Sequence, residues 1–231
     1  MMVSLRRPST ETIRGFLTVQ SKLGFTYTAV GATTSLPPAD YVVDHTRIKL
    51  GQGEEVFMKA KAALGRWQQF RLGWVEVWSP ETPIQTGEVV AVIARNLGLW
   101  WLNACRIVYV LDEPGSVSRY GFAYGTLPDH AGTGEERFLV EWDRASGEVW
   151  YDILAFSRPQ WLVTRLGYRY MRWLQKRFGK ESAAAMVRAV NNVERGSNRE
   201  EEPGAASSRT NTTCGEPSKS GSRTHVFRSV R

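Results

Sequence analysis

The sequence predicts an α+β domain in which a curved antiparallel sheet wraps around one long C-terminal helix. Six β-rich runs follow one another between residues 74 and 157. The short connections between them are rich in Pro, Gly, Asp and Ser, and such turns favour antiparallel pairing of consecutive strands. Apolar residues then recur at helical spacing after Pro159. We expect the concave face of the sheet to bury this helix, which is the helix-grip, or START-like, arrangement.

The strands are bounded by these turns, and a helix precedes them. The predicted strands are Trp74–Trp78, Glu88–Ala94, Trp100–Leu111, Arg119–Leu127, Glu135–Asp143 and Glu148–Ser157, with edge strands around Tyr27–Val30 and Val42–Leu50. Gln52–Phe70 repeats apolar residues every three or four positions, with Glu54 and Glu55 in the first turn, where the helix dipole favours anions.

The last helix is expected to open at Pro159, with Ser157 as its cap. Its apolar stripe consists of Leu162, Leu166, Tyr170, Trp173, Leu174 and Phe178. A separate cationic face consists of Arg165, Arg169, Arg172, Lys176 and Lys180. Gly179 is expected to kink or briefly break the helix before Glu181–Val190 continues it.

Composition divides the chain into a folded domain at 1–190 and a disordered polar tail at 191–231, which has too few large apolar residues to form a core. The net charge of +7 allows an anionic partner, but without a long Lys/Arg run we expect no nucleic acid. No apolar run is long enough for a transmembrane helix, and Cys105 lies in an apolar run as a buried thiol. We therefore expect a soluble, cytoplasmic protein of undetermined oligomeric state.

Polar residues on inward strand faces mark the candidate site. Arg106 shares a face with Val108 and Val110, and Glu136 shares one with Phe138. Buried charges are costly unless paired, so these two residues should either form an ion pair or bind a charged ligand group. Helix-grip folds commonly enclose a cavity, and the nine tryptophans suit a large core or a lined cavity.

The run Arg119–Leu127 has two different faces. Tyr120, Phe122, Tyr124 and Thr126 lie on one, and Gly121, Ala123 and Gly125 lie on the other. Small residues at alternate positions indicate close approach by another backbone or by a ligand. Tight packing of the helix on the sheet is the favoured explanation.

Acid–base chemistry has weaker candidates. His130 lies in a turn beside Glu135 and Glu136, and such a group of side chains can transfer protons. A structural loop histidine is the simpler interpretation. His45 could join His130 on a metal, but no HxxxH or CxxC spacing supports a metal site, and we expect no cofactor.

Several motifs resemble the family called domain of unknown function nineteen-ninety. They are YTAVGAT at 27–33, HTRIKLGQG at 45–53, NACRIVY at 103–109, GFAYGTLPDHAGTGEE at 121–136 and VWYDILAFSRP at 149–159. The resemblance covers roughly Arg6 to Val190. Positions that match the family motifs are His45, Arg47, Cys105, Arg106, Tyr124, Thr126, His130, Glu135, Glu136, Ser157 and Arg158. The family is similar to START-like ligand-binding domains, its activity is not established, and one plant relative is described as a cation-permeable pore of the chloroplast outer envelope.

The leading hypothesis is a small, largely apolar or amphipathic ligand with a polar or anionic end, bound between the sheet and the last helix. The expected ligand-binding residues are Arg106, Tyr124, Thr126, Glu136, His45 and Cys105. One alternative is a membrane-associated cation pore like the plant relative. The other is an enzyme that uses His130 with Glu135 or Glu136.

Overall fold

The computed structural model describes residues 2–160 and 167–197, and residues 192–197 by their backbone alone. The helices are α1 (Thr10–Gln20), α2 (Glu54–Gly65) and α3 (Tyr168–Ser197), with 3-10 turns at Ala32–Thr34 and Gln68–Phe70. The strands are β1 (Met2–Ser4), β2 (Val42–Gln52), β3 (Val75–Trp78), β4 (Val89–Asn96), β5 (Leu99–Glu113), β6 (Val117–Thr126), β7 (Gly132–Asp143) and β8 (Glu148–Pro159).

The strands form one antiparallel sheet in the order β2-β8-β7-β6-β5-β4-β3, with β1 added beside β5. α3 contacts strands near both edges of this sheet. Arg172 pairs with Asp44 on β2, and the Tyr170 hydroxyl donates to Asn96 on β4 at 2.6 Å. A single helix can contact strands near both edges only because the sheet curls around it. The predicted helix-grip architecture is therefore confirmed.

The core lies on the concave face, where α2 and the turn after it pack beside α3. Trp67 stacks edge-on against Phe122 of β6, with ring centroids 5.0 Å apart. Phe70 contacts Phe178 of α3 at 5.2 Å and Phe138 of β7 at 5.5 Å. These fully or mostly buried rings fill part of the space between helix and sheet, and Phe70 and Phe178 also line the cavity described below.

The N-terminal third departs from the prediction. Tyr27–Val30 is not an edge strand but part of a loop that covers the convex face of the sheet, where Tyr27 packs on Phe156 at 5.6 Å. α1, which the sequence analysis missed, also packs on this face, where Ile13 joins a small cluster with Leu102. The convex face is thus covered by α1 and by the loop that follows it.

The predicted helix Gln52–Phe70 is shorter in the structure. α2 ends at Gly65, because Trp67 adopts a left-handed conformation (φ 56°) that an α-helix cannot contain. The chain then makes the 3-10 turn Gln68–Phe70.

α3 also differs from its prediction at both ends and in the middle. Pro159 is the last residue of β8, so neither it nor Ser157 opens a helix, while residues 161–166, including Leu162, Arg165 and Leu166, lie outside the described residues. The helix runs unbroken through Gly179, where an added Cβ would meet the Thr46 hydroxyl at 2.7 Å. Gly179 therefore allows close packing rather than a break.

α3 continues to Ser197, so the first residues of the predicted tail are helical, and residues 198–231 lie outside the described part. In the described parts of the chain, no helix is both long and apolar enough to cross a membrane.

Candidate functional site

A cavity of about 450 Å³ lies between the concave face of the sheet and α3. Large apolar side chains form most of its wall: Phe70, Trp74, Val75, Val92, Trp101, Ile153, Met171, Leu174 and Phe178. Polar and charged residues also line the cavity: Asp44, His45, Thr46, Asn96, Asn103, Tyr124, Thr126, His130, Thr133, Glu135, Glu136, Ser157, Gln175, Lys176 and Lys180. An apolar space with a few placed polar groups is the usual form of a small-molecule site.

Glu136 is an acidic residue of this cavity that forms no ion pair among the described residues. β7 directs it to the concave face, directly opposite Tyr124 on β6, whose hydroxyl donates to Glu136 Oε2 at 2.7 Å. Burial raises the pKa of Glu136 from 4.5 to about 7; the Tyr124 hydrogen bond opposes this increase, and the nearby Asp44 carboxylate adds to it. Glu136 can therefore change its protonation state near neutral pH.

The Asp44 carboxylate is already engaged at the edge of the cavity. Arg172 of α3 makes a two-armed contact with it, and the same guanidinium donates to Gln175 at 2.7 Å. Gln175 in turn donates to the Ser157 hydroxyl at 2.7 Å. This chain of contacts joins α3 to β2 and β8. Lys176, by contrast, is exposed where α3 borders the cavity.

Two polar side chains of β5 also line the cavity. Asn103 is satisfied, because its amide donates to the Val92 carbonyl at 3.3 Å and accepts from the Ala131 N–H at 3.0 Å. Trp101 differs, since its Nε1 is buried and no acceptor among the described residues reaches it. A buried donor without an acceptor costs free energy.

His130 borders the cavity in the turn after β6. Its Nδ1 lies 3.0 Å from both the backbone nitrogen and the backbone oxygen of Gly132. Burial lowers the pKa of His130 from 6.5 to about 4, although the Gly132 hydrogen bond acts in the opposite direction. The imidazole is therefore neutral at physiological pH.

Glu135 also borders the cavity, but its carboxylate lies on the convex face of the sheet and serves a different purpose. Its Oε2 accepts from the Tyr27 hydroxyl and the Gly31 N–H, both at 2.7 Å, and its Oε1 accepts from the Thr33 N–H at 3.0 Å and from the Thr33 hydroxyl. These donors all belong to the loop over the sheet. Since both oxygens of Glu135 hold that loop, His130 and Glu136 remain as the acid–base candidates at the cavity.

The predicted pairing of Arg106 with Glu136 is wrong. Arg106 lies on the convex face, where it donates to the carbonyls of Ser21 and Leu23 at 2.7 and 3.0 Å, and it is absent from the described cavity wall. A β-bulge between Ile107 and Tyr109 reverses the alternation of β5. An inward Val110 consequently implies an outward Arg106.

The remaining predicted ligand-binding residues divide between the cavity and its surroundings. Thr126 lines the cavity, but its hydroxyl already accepts from the Gly134 N–H at 3.0 Å. Cys105 is fully buried in the core rather than in the cavity wall, and burial raises the pKa of its thiol. His45 borders the cavity, yet its Nε2 lies 2.6 Å from Asp152 on the convex face.

Two small residues of β6 are in close contact with other elements than α3: Gly125 with the loop and Gly121 with β7. An added Cβ on Gly125 would lie 2.1 Å from the Tyr27 hydroxyl, and one on Gly121 would lie 2.2 Å from the Phe138 carbonyl. The close approach at Gly125 is thus made by the side chain that binds Glu135. Packing of α3 against this face, the favoured explanation from sequence, is wrong.

Several cavity residues were missed as a group because they come from distant elements. Phe70 and Trp74 flank the passage from α2 into β3, Trp101 lies on β5, and Asp44 lies on β2. The predicted stripe of α3 did indicate Leu174 and Phe178, both of which line the cavity. Among the described residues, no group of three or more His, Cys, Asp or Glu side chains could hold a metal ion.

Comparison with known families shows which family the chain belongs to. The family described as a domain of unknown function, DUF1990, matches residues 26–185. The chain belongs to this family. The matched range contains every described residue of the cavity wall, so the cavity lies entirely within the DUF1990 domain. The resemblance predicted from the sequence motifs is confirmed.

Relatives of this DUF1990 protein occur in distant organisms. A UPF0548 protein of Dictyostelium discoideum is 36% identical over 208 residues, covering 82% of this chain and 96% of that protein. A UPF0548 protein of Deinococcus radiodurans is 34% identical over 201 residues, covering 82% of this chain and 99% of that protein. A UPF0548 protein of Arabidopsis thaliana is 35% identical over 154 residues, covering 65% and 74%.

Solved structures similar to the DUF1990 chain include human STARD10, with a TM-score of 0.43, 11% identity, and coverage of 84% of this chain and 86% of that chain. The hypothetical protein jhp0584 of Helicobacter pylori gives a TM-score of 0.43 and 10% identity, covering 71% and 94%. At such identities the comparison says nothing about ligand or activity.

Proposed function

We propose that this protein binds a small, largely apolar ligand in the cavity between the sheet and α3. The observation that carries the proposal is the cavity itself: its volume of about 450 Å³ is walled mainly by aromatic and aliphatic side chains. Ligand pockets in proteins typically measure about 300–1,000 Å³ and combine such walls with a few polar groups. A cytoplasmic location belongs to the same proposal and is testable by imaging of the tagged full chain.

The polar end of the ligand would be oriented by groups from three strands. Tyr124 and Glu136 offer a hydrogen-bonded hydroxyl and carboxyl, and Trp101 offers a buried N–H that lacks an acceptor among the described residues. Hydrogen bonds to such groups fix the orientation of a ligand whose affinity comes chiefly from apolar burial. Arg106, expected from sequence to contribute, is replaced in this role by Trp101.

The test uses three forms of the full chain: the wild type, Ala155→Trp and Ala62→Trp. Ala155 lines the cavity, so an indole at this position should fill part of it, whereas Ala62 is an exposed residue of α2. Each protein is mixed with an extract of lipids and metabolites and repurified, and the retained molecules are identified by mass spectrometry. We expect one class of molecule on the wild type and on Ala62→Trp but not on Ala155→Trp. Identical retention by all three, or none by any, would contradict the proposal.

A further inference from the structure

The carboxyl of Glu136 is only half satisfied by the protein. Its Oε2 accepts from Tyr124 at 2.7 Å, while no donor among residues 2–160 and 167–197 reaches its Oε1. Four titratable groups interact with it electrostatically, namely Asp44 on β2, Cys105 on β5, Tyr124 on β6 and Tyr151 on β8. His130 in the β6–β7 turn and Lys176 and Lys180 on α3 line the same cavity.

None of these groups forms an ion pair with Glu136 in the described structure. Asp44 is itself an anion and is bound to Arg172. His130 is neutral, because burial lowers its pKa to about 4. Lys176 and Lys180 are exposed on α3. A carboxylate inside an apolar wall is costly without a cation, and the described chain does not bring one to it.

Aromatic rings stand around the same part of the cavity. Tyr124, which holds Glu136, lies 6.1 Å from Phe70 between ring centroids, and Phe70 lies 5.2 Å from Phe178. All three rings line the cavity. The faces of aromatic rings carry partial negative charge and attract cations within about 6 Å. A carboxylate in a cavity lined by several aromatic rings is therefore suited to an ammonium group rather than to an anion.

We propose that the ligand of this cavity is an apolar amine, whose protonated nitrogen donates to the free oxygen of Glu136 and lies against the rings of Phe70, Tyr124 and Phe178. This inference rests on the proposed function and adds the chemical class of the ligand. The apolar body of the amine fills the remaining cavity, and an oxygen on that body can accept from Trp101 Nε1.

Three probes that share a naphthyl group compare an amine, an alcohol and a carboxylic acid. They are 2-(2-naphthyl)ethylamine, 2-(2-naphthyl)ethanol and 2-naphthylacetic acid. Their affinities for the full chain are measured by isothermal titration calorimetry at pH 8. We expect the amine to bind about tenfold or more tightly than the alcohol, the usual gain from a hydrogen bond to a charged group. The acid should bind most weakly.

Variants on β7 then identify the responsible residue. Glu136→Gln should abolish the preference for the amine, so that the amine and the alcohol bind this variant with similar affinity. The matched control is Glu141→Gln, on the same strand but paired with Arg119 on the convex face, and it should keep the full preference. Amine affinity equal to or below that of the alcohol, no binding of the amine, or a preference that survives in Glu136→Gln overturns the inference.

The same titrations distinguish failure of the amine inference from failure of the proposed function. If all three probes bind alike, and Ala155→Trp abolishes their binding while Ala62→Trp does not, the apolar cavity is a binding site but the amine inference is wrong.

Discussion

Replacing Glu135 with Gln should detach the loop that covers the convex face of the sheet. The carboxylate of Glu135 is almost fully buried and accepts from the Tyr27 hydroxyl, the Gly31 N–H and both the N–H and the hydroxyl of Thr33. Each carboxylate oxygen thus receives one backbone N–H and one hydroxyl. A glutamine amide retains only one of the two acceptor oxygens.

The arrangement of these donors sets the size of the effect. Whichever way the amide of Gln lies, its NH₂ faces one backbone N–H and one hydroxyl. The hydroxyl can rotate to accept, but the backbone N–H of Gly31 or Thr33 cannot. One buried donor left unsatisfied costs about 1–3 kcal/mol, and hydrogen bonds to a charged acceptor are stronger than those to an amide. We therefore expect Glu135→Gln to lower the free energy of unfolding by about 2–4 kcal/mol.

Urea unfolding of the full chain, followed by tryptophan fluorescence, measures this change as a shift of the midpoint at constant slope. The control is Glu141→Gln, which removes a carboxylate of the same strand from more exposed ion pairs with Arg47 and Arg119. Pairs of that kind contribute about 0–1 kcal/mol. If Glu135→Gln shifts the midpoint no more than Glu141→Gln does, the carboxylate does not anchor the loop.

Two further substitutions test the site and the packing. Burial raises the pKa of Glu136 from 4.5 to about 7, so between these values the folded protein keeps a proton that the unfolded chain has released, and stability falls as the pH rises. Between pH 5 and pH 8 the free energy of unfolding should fall by about 2–3 kcal/mol, and this decrease should be absent in Glu136→Gln. Urea midpoints at the two pH values measure it. Equal pH dependence in both proteins would contradict the assignment of the raised pKa to Glu136. Gly125→Ala places a Cβ 2.1 Å from the Tyr27 hydroxyl and should cost about 1–3 kcal/mol in thermal or urea unfolding. Gly15→Ala, in α1 with nothing near its Cβ, should instead gain about 0.5–1 kcal/mol; similar effects of the two alanines would refute the close contact.

The order of strands and the final helix were predictable because each depends on local patterns. Turn residues separated six of the strands, and the apolar spacing of α3 indicated Leu174 and Phe178. Alternation along β7 placed Glu136 inward correctly. The bulge in β5 could not be read from alternation, since one extra residue reverses which side chains face the core. This single irregularity displaced Arg106 from the predicted site.

Contacts between distant segments account for the other differences. α1 carries a local signal that was overlooked: Ser9 caps it by accepting from the Thr12 N–H, and Ile13 and Gln20 share its buried face. The role of the 25–34 loop, by contrast, depends on Glu135 more than a hundred residues later. A β-like composition at Tyr27–Val30 was outweighed by this anchor, which holds the loop over the sheet instead of within it.

Binding of a neutral apolar fluorophore is the most direct test of the central claim that the space between the sheet and α3 is a ligand site. N-phenyl-1-naphthylamine is titrated into the full chain, into Ala155→Trp and into Ala62→Trp, and its emission is recorded. We predict saturable binding with one site per chain for the wild type and Ala62→Trp, and loss of that binding for Ala155→Trp. Emission that does not saturate, or that is the same for all three proteins, would contradict the claim.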